Sequence, residues 1–309
     1  MQIVVLDSLF DSLDIEVEAA AAMGATIERW NGDPGSLGDA DVVAHVRTPV
    51  DGALITSMKR GGVITRFGTG TDTVDLDAAE AAGIAVVTVR DYCIPELCTH
   101  TLGLAFTLTR RLRETTGNLD ASWRTVAATA PLSRHARAAV VGMGTIGSHI
   151  TAALKALDHE VVAVTSDADR AELAGVPAMR LEDALEFADL VFLHCALDTR
   201  TRGLIDDRRL ALLRPTSILI DTARVGLLDE EAVARALEQQ QLGGLGLDGY
   251  LAADSPLRRL GDDPRLLVTP HVGWYSDQSA TALRRAAIVN ALERVREHDH
   301  RPAHDRAPT

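Results

Sequence analysis

The chain is built from short, continuous apolar runs separated by longer Ala-rich stretches of helical period. Near its start the runs are QIVVLD, DVVAHV, GVITRFG and IAVVTV. Runs of this kind belong to parallel strands, because helices cover both faces of such a sheet. Helix candidates lie between them, at about 14–24 and 74–82. From IPELCTHTLGLAFTLTRRLRE onward the period predicts one long helix, about residues 95–116, and a polar, less regular stretch follows to about 136. A second strand–helix series then begins: RAAVVGMG, EVVAVTS, DLVFLHC, SILIDTA, GGLGLDG and RLLVTP. A last helix, about 277–297, follows this series and could cross back to the first. The prediction is an α/β fold with two parallel-sheet domains. The tail HDHRPAHDRAPT, with proline and charge but little apolar content, reads as disordered.

Composition narrows the function classes. At 309 residues and 46% hydrophobic content the chain can bury a large core, and its length suits about two domains. A formal net charge of -13 without a long basic run argues against nucleic acid and against anionic membrane surfaces. Cys93, Cys98 and Cys195 form no CxxC pair and no metal-like cluster, so the reading is a reduced, cytoplasmic protein without a metal site. The first residues lack a basic segment and a long apolar core of the signal-peptide kind, and no stretch of ~20 apolar residues could span a bilayer.

The strongest local motif is AAVVGMGTIGSHI, where Gly142, Gly144 and Gly147 make G-x-G-x-x-G between an apolar strand and an Ala-rich helix. In that context the first glycine permits a tight turn, the second lets backbone approach a pyrophosphate, and the third allows close helix–strand packing. The plainer reading is a glycine-rich turn with no ligand. An acid that holds a ribose hydroxyl is expected about 20 residues on. There Thr165 and Ser166 end the strand and Asp167 comes slightly later. A small hydroxyl removes repulsion against a 2′-phosphate, and Arg170 is either a partner for one or a solvated residue at a helix start. The cofactor expectation is therefore NAD(H) or NADP(H), with a lean toward NADP(H), against which Asp167 argues. Arg224 follows the apolar run SILI, and His271 follows RLLV in the same way. Ligands of open α/β sheets bind at such strand ends. A guanidinium there can clamp a carboxylate in a two-bond fork, and an imidazole can give or take a proton near neutral pH.

The pieces RFGTGTDTVDLDAA, DYCIPELCTHTLGL, GMGTIG, FLHCALDTRTRGLI, DTARVGLLDEEAV, GLGLDGY and TPHVGWYS occur in one order over about residues 40–295. In that order the chain resembles the D-isomer-specific 2-hydroxyacid dehydrogenase family. RFGTG and HVGWYSDQ look most like the branch with the C-terminal-binding proteins, which bind NAD(H) and act as corepressors. The resemblance implies two Rossmann-like or flavodoxin-like domains with the active site in the cleft between them. Residues 1–96 and 276–309 would form a discontinuous substrate domain, and 97–275 a nucleotide-binding domain that also makes a homodimer. Arg224 would bind the substrate carboxylate and carbonyl, and His271 would be the acid/base. Thr69 and Gly70 would offer backbone N–H groups to the carboxylate. Arg66, Tyr92 and Trp274 would face the substrate, although an ion pair, plain core and packing at the domain junction are their respective alternatives. Thr145 and Ile146 would meet the pyrophosphate, while Cys195, Ala196, Thr222 and Ala223 would line the cofactor cleft with Gly273. Asp248 would lie beside the nicotinamide carboxamide. His45, His100, His149, His159 and His194, which have no evident partner, read as structural or exposed.

The sequence departs from the family in two places. The family pattern D-V-F-x-x-E-P carries a glutamate that pairs with the histidine and raises its pKa. Counted without gaps from Asp248, Ala253 stands at the glutamate, and the next residue, Asp254, is either a substitute or a turn residue before SPL. Val225 stands where the family has glycine after the arginine. The expected function is NAD(P)-dependent interconversion of a 2-keto acid and a D-2-hydroxy acid. The alternatives are a catalytically weak NAD(P)(H)-sensing module of corepressor type, and a dehydrogenase of a phosphonate- or phosphite-type anion.

Overall fold

The structure is a computed structural model that describes residues 1–116 and 136–299. Most of the polar stretch before 136, and the tail past residue 299, lie outside the described residues. Two compact units divide the chain, one of residues 1–92 with 276–309 and one of residues 93–275.

The first unit holds a five-stranded parallel sheet. Its strands are β1 (Gln2–Val5), β2 (Thr26–Arg29), β3 (Val42–His45), β4 (Val63–Arg66) and β5 (Ala85–Thr88), in the order β2-β1-β3-β4-β5. The order reverses between β1 and β3, the position where doubly wound sheets bind ligands. Here Asp7 fills it. Its carboxylate accepts the backbone N–H groups of Val46 and Arg47 at 2.8 Å and of Thr48 at 3.1 Å. The helix Asp277–Asp299 belongs to this unit and packs on β3, β4 and β5. Thr65 Oγ1 donates to the Ala287 carbonyl at 3.1 Å, and the Arg284 guanidinium grips the buried Glu16 carboxylate at 2.8 and 2.6 Å. A fully buried carboxylate is tolerated only with such paired, hydrogen-bonded charge.

The second unit holds a six-stranded parallel sheet of β6 (Arg137–Val141), β7 (Glu160–Val164), β8 (Leu190–Leu193), β9 (Ile218–Asp221), β10 (Gly244–Asp248) and β11 (Leu266–Thr269). Their order is β11-β10-β9-β8-β6-β7. Beyond β7, Ala178 pairs with Ala163 in a parallel bridge, with Ala163 N–H on Pro177 O and Met179 N–H on Ala163 O. Counting that bridge as a vestigial third strand gives the dinucleotide-fold order 3-2-1-4-5-6 with one strand added. Alternate strand residues enter two separate cores. Val140, Phe192 and Ile220 pack with Ile150 and Leu104, while Val141, Leu193 and Leu247 pack with Leu185 and Leu237. Both faces are packed with apolar side chains, which is why the strands read as unbroken apolar runs.

The predicted long helix is divided. The helix Ile94–Thr109 ends at Arg110, Arg111 takes a left-handed φ of 51°, and a short turn Leu112–Thr115 follows. The new direction lets Arg113 Nη1 donate to the carbonyls of Asp263 and Leu266. Bonds to residues so distant in sequence override helical period. The longer helix lies close against β10 because that strand carries glycines: a Cβ on Gly246 would stand 3.1 Å from Leu104 Cβ and 2.7 Å from Ile220 Cδ1. No described helix is long and apolar enough to cross a membrane.

Candidate active site

All six strands of the second sheet run parallel, so their carboxyl ends form one edge. The register sets Val141 beside Val164 and Leu193, Leu193 beside Asp221, and Asp248 beside Thr269. The predicted residues of this unit emerge together there: Gly142 to Gly147 after β6, Thr165 and Ser166 after β7, Cys195 and Ala196 after β8, Thr222 to Arg224 after β9, Asp248 ending β10, and His271, Gly273 and Trp274 after β11. Arg66, Thr69, Gly70 and Tyr92 lie in the first unit. Arg66 ends β4 and donates from Nε to the Val46 carbonyl at 3.2 Å, and Thr69 Oγ1 donates to the Val89 carbonyl at 2.9 Å.

The glycine turn has the shape that a dinucleotide needs. Gly142 has φ 99°, and a Cβ there would meet the His194 carbonyl carbon and the Cys195 nitrogen at 2.6 Å. A Cβ on Gly147 would lie 1.9 Å from the Gly142 carbonyl oxygen. Both positions therefore exclude any side chain. Gly144 differs, since its Cβ would meet nothing within 4 Å. The space in front of it is open, and no side chain caps the helix Thr145–Ala156 that begins there. Uncapped N–H groups beside an unobstructed backbone suit a pyrophosphate. A groove of about 630 Å³ continues from this turn, lined by Gly144, Thr145, Ser148, Lys155 and Arg170 among others. At the end of β7, Thr165 Oγ1 accepts the Asp167 N–H at 3.1 Å. Arg170 donates to the Asp167 carboxylate at 2.9 Å and to the Met143 carbonyl at 3.2 Å.

Two aspartates at the ends of neighbouring strands build the turns that carry the arginine and the histidine. Asp221 Oδ1 accepts the N–H groups of Ala223 at 2.9 Å and Arg224 at 3.1 Å. Asp248 Oδ1 accepts the Val272 N–H at 2.8 Å, and its Oδ2 accepts the Gly273 N–H at 2.9 Å. The Arg224 guanidinium also donates to the Ala223 carbonyl at 2.7 Å. His271 takes a left-handed φ of 56°, an unusual backbone for a residue with a side chain and one that clusters at functional sites. Its ring lies 5.5 Å from that of Tyr250, and the Trp274 indole N–H donates to its carbonyl at 3.0 Å. Gly273 is obligatory beside Asp248: a Cβ there would lie 2.8 Å from Asp248 Oδ2 and 3.0 Å from Leu97 and His100. At the same edge, Thr222 Oγ1 lies 2.9 Å from Thr101 Oγ1, and burial with the nearby Asp221 charge pushes the Cys195 thiol up to about 11. That thiol stays protonated and acts as an apolar wall.

The residue that sequence reasoning missed is His100. It was expected to be structural or exposed, without a partner. Instead its Nε2 lies 2.8 Å from Thr269 Oγ1 and 3.6 Å from Asp248 Oδ1, and Thr269 donates to Asp248 Oδ1 at 2.6 Å. The histidine thus braces the aspartate that holds the His271 turn. A histidine one helical face away from that aspartate gives no periodic signal, so the sequence offered none. Asp254 is exposed and makes no hydrogen bond or ion pair among the described residues, so the structure lends no support to it as a substitute for the glutamate. Val225 is accommodated by a second departure. In the gapless count Gly249 stands where the family pattern has valine, and its Cβ would lie 2.4 Å from Val225 Cγ2. The valine methyl fills the space that the glycine leaves.

A doubly wound sheet with an open glycine turn at its carboxyl edge defines a dinucleotide-binding α/β protein, and the comparisons specify the family. Residues 102–273 match the family model described as D-isomer specific 2-hydroxyacid dehydrogenase, NAD binding domain. The chain belongs to the D-isomer specific 2-hydroxyacid dehydrogenase family. A D-3-phosphoglycerate dehydrogenase of Mycobacterium leprae is 32% identical in an alignment of 268 positions that covers 82% of this chain and 50% of that protein. The chain thus spans about half the length of the curated relatives it matches. Among solved structures, that of a pyruvate reductase from Chlamydomonas reinhardtii is 25% identical with a TM-score of 0.73, covering 96% of this chain and 97% of that one. The fold also matches a D-lactate dehydrogenase from Aquifex aeolicus solved with NAD and lactic acid, with a TM-score of 0.82, 22% identity, and 96% and 98% coverage.

Proposed function

We propose that the chain catalyses reversible hydride transfer between a nicotinamide cofactor and a 2-keto acid/D-2-hydroxy acid pair. The observation that carries this reading is the pair of aspartate-built turns on β9 and β10–β11, which hold Arg224 and His271 at the edge where the glycine turn opens. A bound nicotinamide cofactor supplies or accepts the hydride. Arg224 clamps the substrate carboxylate and polarises the adjacent carbonyl. His271 donates a proton to the carbonyl oxygen during reduction and takes it back during oxidation. The N–H groups of Thr69 and Gly70 add to the carboxylate's partners, and Arg66, Tyr92 and Trp274 bound the substrate. The second unit is the nucleotide domain and the contact surface of a homodimer, and the first is the substrate domain.

The cofactor is NAD(H) or NADP(H). Thr165 at the end of β7, with Arg170 and Lys155 on the groove, supports the lean toward NADP(H). A panel of 2-keto acids with NADH and NADPH tests the reading. Turnover is expected on at least one of them, with Arg224→Ala and His271→Ala each lowering kcat/KM at least about a hundredfold. Wild-type turnover in both variants overturns the roles, and tighter binding of NADH than NADPH overturns the cofactor lean. Tight cofactor binding with no turnover across the panel favours the sensing module instead, a reading consistent with the exposed Asp254.

A further inference from the structure

Asp221 ends β9 with its carboxyl fully buried. Oδ1 accepts both N–H groups of the Arg224 turn, while the enclosed Oδ2 has no hydrogen-bond partner among the described residues. An unpaired buried carboxylate oxygen is costly unless it holds a proton. Among the described residues, the charged and titratable groups that act on the carboxyl include Arg224 on its own turn, Asp248 at the end of β10, and Cys195 after β8. Burial pushes the carboxyl up to about 7, opposed by the two N–H donors and Arg224 and reinforced by the negative charge of Asp248. The group therefore changes charge in the range where an enzyme of this kind works.

We propose that Asp221 is a positioning residue for Arg224: its buried carboxyl shapes the turn that presents the guanidinium, and its ionisation weakens the grip of that guanidinium on an anionic substrate. The inference rests on Arg224 being the carboxylate anchor. Protonated, Asp221 keeps both backbone bonds through Oδ1 and places no negative charge near Arg224. Ionised, it sets a negative charge near Arg224 that offsets the guanidinium and repels the substrate carboxylate. Substrate affinity accordingly falls as pH rises through the titration of Asp221. Asparagine keeps the two acceptor bonds and cannot ionise, so it should fix the turn in its high-affinity state.

The test uses the full chain and oxamate, an unreactive 2-keto-acid analogue, as the binding probe in the presence of reduced cofactor. Oxamate affinity of the wild type is measured from pH 5.5 to 8.5 beside Asp221→Asn and Asp221→Ala. The wild type is expected to lose affinity through about pH 7, and the Asn variant to lack that component of the profile. The Ala variant should raise KM for the keto acid by about 10- to 100-fold with cofactor Kd unchanged, because the anchor is misplaced and the nucleotide turn is not. Superposable pH profiles for wild type and the Asn variant overturn the proposal, and this comparison decides even if the Ala variant fails to fold. Silent Asp221 variants beside an inactive Arg224→Ala sink this inference alone, whereas an active Arg224→Ala sinks the anchor assignment beneath it.

Discussion

At the scale of single residues, the glycine turn separates folding from binding. Gly147→Ala forces a methyl to 1.9 Å from the Gly142 carbonyl oxygen, so the helix must shift. Overpacking of that kind costs about 1–3 kcal/mol, and the thermal midpoint should fall together with cofactor affinity. Gly144→Ala meets nothing in the protein within 4 Å, and its φ of -74° suits alanine. It should keep the wild-type thermal midpoint and still lose cofactor affinity at least about tenfold, since the methyl stands where a pyrophosphate approaches. Equal thermal losses for the two variants would refute the distinction. These glycines were legible because their spacing and their strand–helix context carry the signal. Arg224 and His271 stand out in the sequence as polar residues immediately after buried strands. The supports of those residues were not: His100 is 169 positions from Thr269 in the chain, and no local pattern encodes that meeting.

Among elements, the coupling of the β9 turn to the end of β10 was hidden in two separate departures from the family pattern. Val225 and Gly249 fit only as a pair, because a valine Cβ at 249 would lie 2.4 Å from Val225 Cγ2. Gly249→Val alone should destabilise by about 1–3 kcal/mol through overpacking, and Val225→Gly alone by about 1 kcal/mol or more through lost packing and backbone entropy. The double variant should recover part of that loss. A urea-denaturation cycle is expected to show a coupling of about 0.5–3 kcal/mol in the recovering direction, and additive losses would refute it. The strands themselves were readable from apolar continuity, a direct result of helices covering both sheet faces. The break at Arg111 was not, since it is driven by the reach of Arg113 to Asp263 and Leu266.

For the whole molecule, each unit buries a histidine. His45 in the first sheet and His194 after β8 are both pushed down to about 4 by burial, with His194 stacked on Phe192. Both are neutral when folded, and an unfolded histidine titrates near 6.5. A depressed folded pKa contributes stability that is present above the unfolded value and is lost as pH falls through the folded one. Denaturation midpoints should therefore drop between about pH 6.5 and 4. His194→Asn and His45→Asn should each flatten part of that slope, and an unchanged slope in both would exclude the histidines as its cause. The two-sheet architecture was legible in the order of apolar runs, and the family in motifs spread along the chain.

The two sheets share a doubly wound design but meet the outside world differently. Asp7 places a carboxylate on the three backbone N–H groups of Val46, Arg47 and Thr48, where the first sheet reverses its strand order. That side chain behaves as a tethered mimic of a bound anion, always present at the highest local concentration. A free phosphate would have to evict it before it could dock there. The first sheet is thus self-saturated at its switch point, and the second, with bare glycine in the same place, receives its guest from solution.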